Sequence, residues 1–595
     1  MGTRSGFFHP GRYTAGSRRI NPGFTPPAPS GVMLEPITVP MPPTRDPMRS
    51  FLLAAVLTLL FAAPHAGAQE NRLPDIGSSA GSVLSPSQQR EYGEMLLAQL
   101  RHYDLVLEDP LVDSWLRSTG TRLASASDQP EQPFTFFMMR DRSINAFATL
   151  GGYIGLNVGL VLTAESEDEV AGVLAHEIVH VTQNHVLRSV ERAQRDSVPM
   201  FLAMLGAIAL AAGSDSSSSG DAGMAAIASI QGLALQRQID YTRSNESEAD
   251  RIAMRTVARS GYDVHALARM FERMQAVSRV NQGTERERLP EYLRTHPVTT
   301  TRIAEARTRA EQITGGSSVV ATTSTPDAVH SERVAIPTAR PSITLPGRLN
   351  NPLLPGTLQM PALGQGHASP ARFGWARERM RVLSANTTRQ AISEYEGMAR
   401  AGPLDDAQQY GLALARMRAG DAARAATGFA ALLQEYPRDS WLELGLAEAQ
   451  SRAGRTAEAD ERFEALAMRL PNDRAVVLTY AGVLAERNTP ESGRRAQALL
   501  RPLQRTAADD PVFQRTFARV HEIAGDQVRA GEAWAEAAYL SGRAEQALVQ
   551  LNTLRQRDDV DYYARARIDA RIAAITPVVL ELRRQGIRDQ DLRRR

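Results

Sequence analysis

Two histidines one helical turn apart, His176 and His180, bracket a glutamate in the run Ala175-His176-Glu177-Ile178-Val179-His180. The residues before them, from Glu165 to Leu174, read as a helix with acids in its first turn. On such a helix the two imidazoles share a face and can close on one Zn²⁺ at roughly 2.0–2.1 Å. Glu177 is rotated off that pair, so it suits a water on the metal better than the metal itself. A third ligand is required. A third histidine six residues after His180, with an intervening glycine, is ruled out, because His185 comes five residues on and Gln183 stands where the glycine would be. The run Ser244-Asn245-Glu246-Ser247-Glu248-Ala249-Asp250 offers an alternative. Glu246 and Asp250 share a helix face; Glu246 can ligate, and Asp250 can accept the N–H of a ligating histidine. Glu248 is expected to be solvated. Two histidines, one carboxylate and an open fourth position are the donor set of a catalytic zinc, one per chain.

The composition narrows what else the chain can do. It has 595 residues and no cysteine, so disulfides, thiolate metal sites and a cysteine nucleophile are excluded. All 68 basic residues are arginine, which removes a Schiff-base lysine and a phosphate-loop lysine. A net charge of +2 argues against a nucleic-acid partner. His102, His185, His265 and His521 have no ligand spacing to one another and read as structural or exposed.

Several segments must carry or deliver this chemistry. Met48-Arg49-Ser50, an apolar run from Phe51 to Ala63 and the small-x-small site Ala66-Gly67-Ala68 read as a secretory signal, residues 48–68. Residues 1–47 are Pro/Gly-rich and are expected to be a non-native, unstructured extension. Residues 69–315 are dense in helical pattern with one strand-like stretch, 316–370 are rich in Pro, Ser and Gly and read as a linker, and 371–595 are almost wholly helical. In that last part Gly411 and Gly445, Gly420 and Gly454, Phe429 and Phe463, and Pro437 and Pro471 all lie 34 residues apart, the period of tetratricopeptide repeats. The expected architecture is mostly α: a metallopeptidase domain with a small β-sheet, then an α-solenoid. Between the two metal motifs, apolar runs 200–212 and 224–235 flank a Ser/Gly-rich tip and read as a hairpin that is a lid, a peripheral membrane contact or part of the core.

The pairing of His-Glu-x-x-His with Glu-x-x-Ala-Asp resembles the gluzincin peptidases that include HtpX and the CAAX prenyl proteases. The stretch 145–156 is similar to the strand before that family's zinc helix, and 294–303 to its closing motif. The signal and the repeats resemble the family's soluble periplasmic branch. This resemblance implies a zinc endopeptidase of the periplasm acting on unfolded or misassembled outer-membrane proteins, with chaperone-like help to folding and the outer-membrane barrel-assembly machinery as partner. It implies that the strand Tyr153–Asn157 is an edge to which substrate adds, with Gly152, Tyr153, Ile154 and Gly155 in contact. Glu177 is then the general base and acid, and Arg294 or His296 the oxyanion donor. His296 has a second reading, as a neutral imidazole that takes the open metal position and keeps the enzyme latent. The rival readings are a repeat-based adaptor or chaperone that uses the peptidase half as a scaffold, and a metal-dependent hydrolase of non-peptide substrates.

Overall fold

The computed structural model describes residues 84–189, 191–192, 241–281, 291–315 and 370–584. The proposed extension and signal, the linker and the 200–235 hairpin lie outside the described residues. Helices α1 (Pro86–His102) and α2 (Pro110–Ser125) open the N-terminal half. Both start where the sequence supplies a cap followed by proline. Ser85 and Gln88 form a capping box, and one oxygen of Asp109 accepts from the N–H groups of Leu111 and Val112, each at 3.1 Å.

A three-stranded sheet follows, with β1 (Thr135–Met139), β2 (Ala146–Ala148) and β3 (Tyr153–Asn157). Its order is β1-β3-β2, with β1 parallel and β2 antiparallel to β3. This corrects the expectation for Tyr153–Asn157. Both edges of that strand are occupied, so Tyr153, Ile154 and Gly155 cannot receive an added strand. Gly152 precedes the strand in a left-handed turn (φ +84°). Every residue of β3 is buried, as a central strand requires. On the side away from β1, the edge of the sheet is β2.

Helix α3 (Val158–Thr163) leads into α4 (Glu167–Thr182), which carries both histidines. Ser166 caps α4 and three acids fill its first turn. Two of those acids anchor the helix as well as facing its dipole. Glu167 accepts from Trp115 Nε1 (3.1 Å), Thr119 Oγ1 (3.2 Å) and Tyr262 Oη (2.9 Å), and Glu169 accepts from Arg273. Almost all of α4 is buried, so the metal motif sits on the most enclosed helix of this half. A helix running through residues 241–259 (α5), then α6 (Ala266–Asn281), α7 (Glu291–Thr295) and α8 (Thr300–Gly315), complete it.

Twelve further helices run from α9 (Pro370–Leu383) to α20 (Tyr562–Arg584) among the described residues. The 34-residue period has a direct physical basis. Gly420 (φ +91°) and Gly454 (φ +83°) turn the chain between paired helices in the left-handed region. Phe429 and Phe463 are fully buried. Gly411 lets a helix close on Tyr395: a β-carbon there would lie 2.1 Å from the phenol oxygen. The C-terminal helical half packs on the N-terminal half within one compact unit, Gly77–Arg595. Arg379 grips Asp109 through two bonds of 2.7 Å, and Arg142 reaches Glu394 at 2.7 Å.

Candidate metal centre

Helix α4 points His176 and His180 at α5, which returns Glu246. His176 Nε2 and His180 Nε2 are 3.0 Å apart, and Glu246 oxygens lie 3.3 Å from the first and 3.5 Å from the second. Two bonds of roughly 2.0–2.1 Å at a tetrahedral angle put their donors about 3.3 Å apart. The triangle therefore has the dimensions of three corners around one small cation. His296 stands at the remaining side, and donor atoms of all four residues fall within 4.8 Å of one another. Its Nδ1 is 2.8 Å from Glu246, its Nε2 is 3.8 Å from Glu177, and its ring stacks on Tyr292 at 4.9 Å between centroids.

Around these donors lies a second layer of charge. Asp250 Oδ1 is 2.9 Å from His176 Nδ1, which leaves Nε2 for a metal. Arg302 clamps Asp250 through two bonds of 2.8 Å and reaches Glu246 at 2.8 Å, while its guanidinium lies 4.8 Å over the Phe271 ring. All of these groups are buried. Burial alone would depress His176, but the carboxylates of Asp250 and Glu246 outweigh it and push the imidazole up to about 10. Burial and the neighbouring charge of His176 hold His180 well below its ordinary value. Burial would raise Glu246 and Asp250; hydrogen bonds from His176, with His296 for the first and Arg302 for the second, bring both below the usual carboxylate range. The set thus favours positive charge at its centre. Both oxygens of Glu177 are buried without a hydrogen-bond partner, which otherwise carries a desolvation penalty. Imidazole and carboxylate donors with no thiolate suit a divalent ion such as zinc.

Glu177, His180 and His296 open onto a cavity of about 440 Å³ that is also lined by Asn145, Phe147, Ala148, Leu100 and Met139. Of the residues the sequence singled out, His176, Glu177, His180, Glu246, Asp250 and His296 are brought together here. Arg294 lies on α7, and its side chain lies outside the described residues. One expectation needs correction. Glu248 is not simply solvated: it bonds His185 Nε2 and Arg188, each at 3.3 Å. His185 is buried against His180, with the two Nδ1 atoms 2.9 Å apart. Arg302 was assigned no role from the sequence. Its place in the run after His296, four residues past Val298 in a chain with two buried carboxylates to neutralise, was the available signal.

Fold and site together set a buried histidine–carboxylate cluster in a mixed α/β half that packs on paired helices of 34-residue period. Residues 110–310 match the model of Peptidase family M48, and residues 416–481 match a Tetratricopeptide repeat model. The chain is similar to the putative beta-barrel assembly-enhancing protease of Vibrio cholerae, 41% identical over 44% of this chain and 54% of that protein. It is similar to the beta-barrel assembly-enhancing protease of Escherichia coli K12, 38% identical over 44% of this chain and 52% of the relative. A mitochondrial metalloendopeptidase OMA1 of Schizosaccharomyces pombe is 26% identical over 31% of this chain and 48% of its own length. The alignments span about half the length of these curated relatives.

Proposed function

We propose that this chain is a zinc-dependent endopeptidase of the bacterial envelope that cleaves unfolded or misassembled polypeptides, outer-membrane proteins among them. The observation that carries the reading is the donor triangle of His176, His180 and Glu246 with the unpartnered Glu177 carboxylate beside it. His176, His180 and Glu246 would hold a divalent ion, which would supply Lewis-acid polarisation of a scissile carbonyl and a water acidified towards a pKa of about 7. Glu177 then accepts the water's proton at a carboxylate oxygen and delivers it to the leaving amine nitrogen. Asp250 fixes His176 through Nδ1, and Arg302 neutralises the two carboxylates that would otherwise repel each other.

The substrate edge is β2. The N–H of Asn157 bonds the carbonyl of Asn145, and the N–H of Thr149 bonds that of Tyr153, so residues 145 and 149 face β3. By the alternation of an antiparallel ladder, the backbone groups of Ala146 and Ala148 face away from it. An extended chain pairing there would lie along the cavity with its carbonyls near Glu177 and His180, and main-chain bonds need no particular sequence. His296 caps the donor set, and substrate must displace it; His296→Ala raises turnover on this account and lowers it if the imidazole is an oxyanion donor.

The name of the relatives, beta-barrel assembly-enhancing protease, supports an envelope role and substrates among barrel proteins. Among the described residues no helix is long and apolar enough to cross a membrane. The barrel-assembly machinery as partner, chaperone-like activity and a periplasmic location belong to the same proposal. The test is Glu177→Gln in the purified chain with an unfolded polypeptide. Retained binding with lost cleavage supports the peptidase. A wild type that binds but never cuts favours the adaptor reading.

A further inference from the structure

We propose that His185 and Glu248 form a relay that sets the tautomer and ring orientation of His180, making them positioning residues for the metal. The proposal rests on His180 being a ligand. A neutral His180 that presents its Nε2 lone pair to a cation carries its proton on Nδ1. That proton points at His185 Nδ1, 2.9 Å away. Two facing ring nitrogens bond only if one is protonated, so His185 must accept there and hold its own proton on Nε2. At that end Glu248 Oε2 lies 3.3 Å away and can only accept while ionised. Arg188 Nη1 donates to the same oxygen at 3.3 Å and holds it in place. Given a His180 Nε2 left bare for the metal and a neutral His185, the order Glu248 to His185 to His180 has one consistent arrangement of protons.

The local fold explains how a residue just beyond the zinc helix reaches back to it. Helix α4 ends at Thr182, and Asn184 adopts the left-handed region (φ +53°), which asparagine tolerates. The chain leaves the helix there, and His185, the first residue of the next helical segment, is buried beside His180. The two ligand imidazoles thus have different supports. His176 meets Asp250 directly at 2.9 Å, whereas His180 meets its carboxylate through a second imidazole. The alternating acids Glu246, Glu248 and Asp250 on α5 divide the work: one for the metal and one behind each histidine.

The test measures zinc affinity of the folded full chain by competition with a chromogenic chelator. Partners that orient a metal-bound imidazole are typically worth about 10–100-fold in affinity. His185→Leu should raise the zinc Kd by about that factor. His185→Gln, whose amide oxygen can accept from His180, should recover most of the loss. Glu248→Ala should weaken binding, and the His185→Leu/Glu248→Ala pair should be no weaker than His185→Leu alone, because both break one chain. Nitrogen-15 spectra of the metal-free protein should show the Nδ1–H tautomer of His180 in wild type and a mixture in Glu248→Ala. If His185→Leu disrupts folding, His185→Gln and Glu248→Ala still decide. Unchanged affinity and an unchanged His180 tautomer in Glu248→Ala, or additive losses in the pair, would overturn the relay. If His180→Ala also leaves zinc binding unchanged, the metal-site reading itself is wrong; if it abolishes binding while the relay variants do nothing, only the relay is.

Discussion

Arg302→Met is the most demanding perturbation of the site that leaves every ligand intact. Arg302 is buried, makes two hydrogen bonds of 2.8 Å to Asp250 and an ion pair of 2.8 Å with Glu246, and lies over Phe271. Methionine preserves most of the apolar stem but removes the charge, leaving two carboxylates one helical turn apart in a closed space. Breaking a buried pair from one side typically costs about 3–5 kcal/mol. For a domain of this size each kcal/mol shifts the melting temperature by about 2–4 °C, so the metal-free protein should melt about 6–20 °C lower. A bound divalent ion restores positive charge beside Glu246. Zinc should therefore raise the melting temperature of the variant by more than it raises that of wild type. Differential scanning fluorimetry with and without zinc measures both quantities. Arg302→Lys, which keeps the charge and loses the two-pronged grip, should fall between. A loss below about 1 kcal/mol in Arg302→Met, with equal zinc stabilisation in both proteins, would refute the assignment of Arg302 as the counter-charge of the site.

Two other predictions concern the fold. Burial pushes Asp113 up to about 7, even with Arg474 at 3.3 Å, because Asp109, Asp510 and Glu108 crowd it. A carboxyl whose folded value is raised binds an extra proton in the native state, so it lowers stability as pH climbs from about 4 to about 7 and the loss persists above that. Asp113→Asn should leave stability unchanged near pH 4 and raise it at pH 8, by at most about 4 kcal/mol for a shift of about three units; denaturant titrations at the two pH values check this, and an equal effect at both would contradict it. In the solenoid, Gly411→Ala drives a methyl into the Tyr395 phenol, which bonds Glu378 at 3.0 Å, and should cost about 1–3 kcal/mol. Gly482→Ala, where nothing lies within 4 Å of the new carbon in mid-helix, should instead stabilise by about 0.4–1 kcal/mol in the same assay.

What could be read from the sequence was set by how locally each feature is encoded. His176 and His180 share a face because of helix period alone, and so do Glu246 and Asp250. The solenoid repeats its glycines and phenylalanines at one spacing, so its fold is written in short-range pattern. The relation of β3 to its neighbours is different. Whether Tyr-Ile-Gly-Leu-Asn is an edge depends on what pairs with it, and the cue was its unbroken burial-type composition instead of alternation. The His185–Glu248 contact joins residues 63 apart in sequence, through a left-handed turn at Asn184 that no periodicity announces. Arg302 was similarly invisible as a partner, since its carboxylates belong to a helix about fifty residues earlier.

The measurement that bears most directly on the site is metal content by elemental analysis of the purified wild-type, Glu177→Gln and His180→Ala proteins. The account predicts about one zinc per chain in the first two and a small fraction of that in the third, because Glu177 handles a proton while His180 holds the ion. A full equivalent in His180→Ala, or its loss in Glu177→Gln, would contradict it.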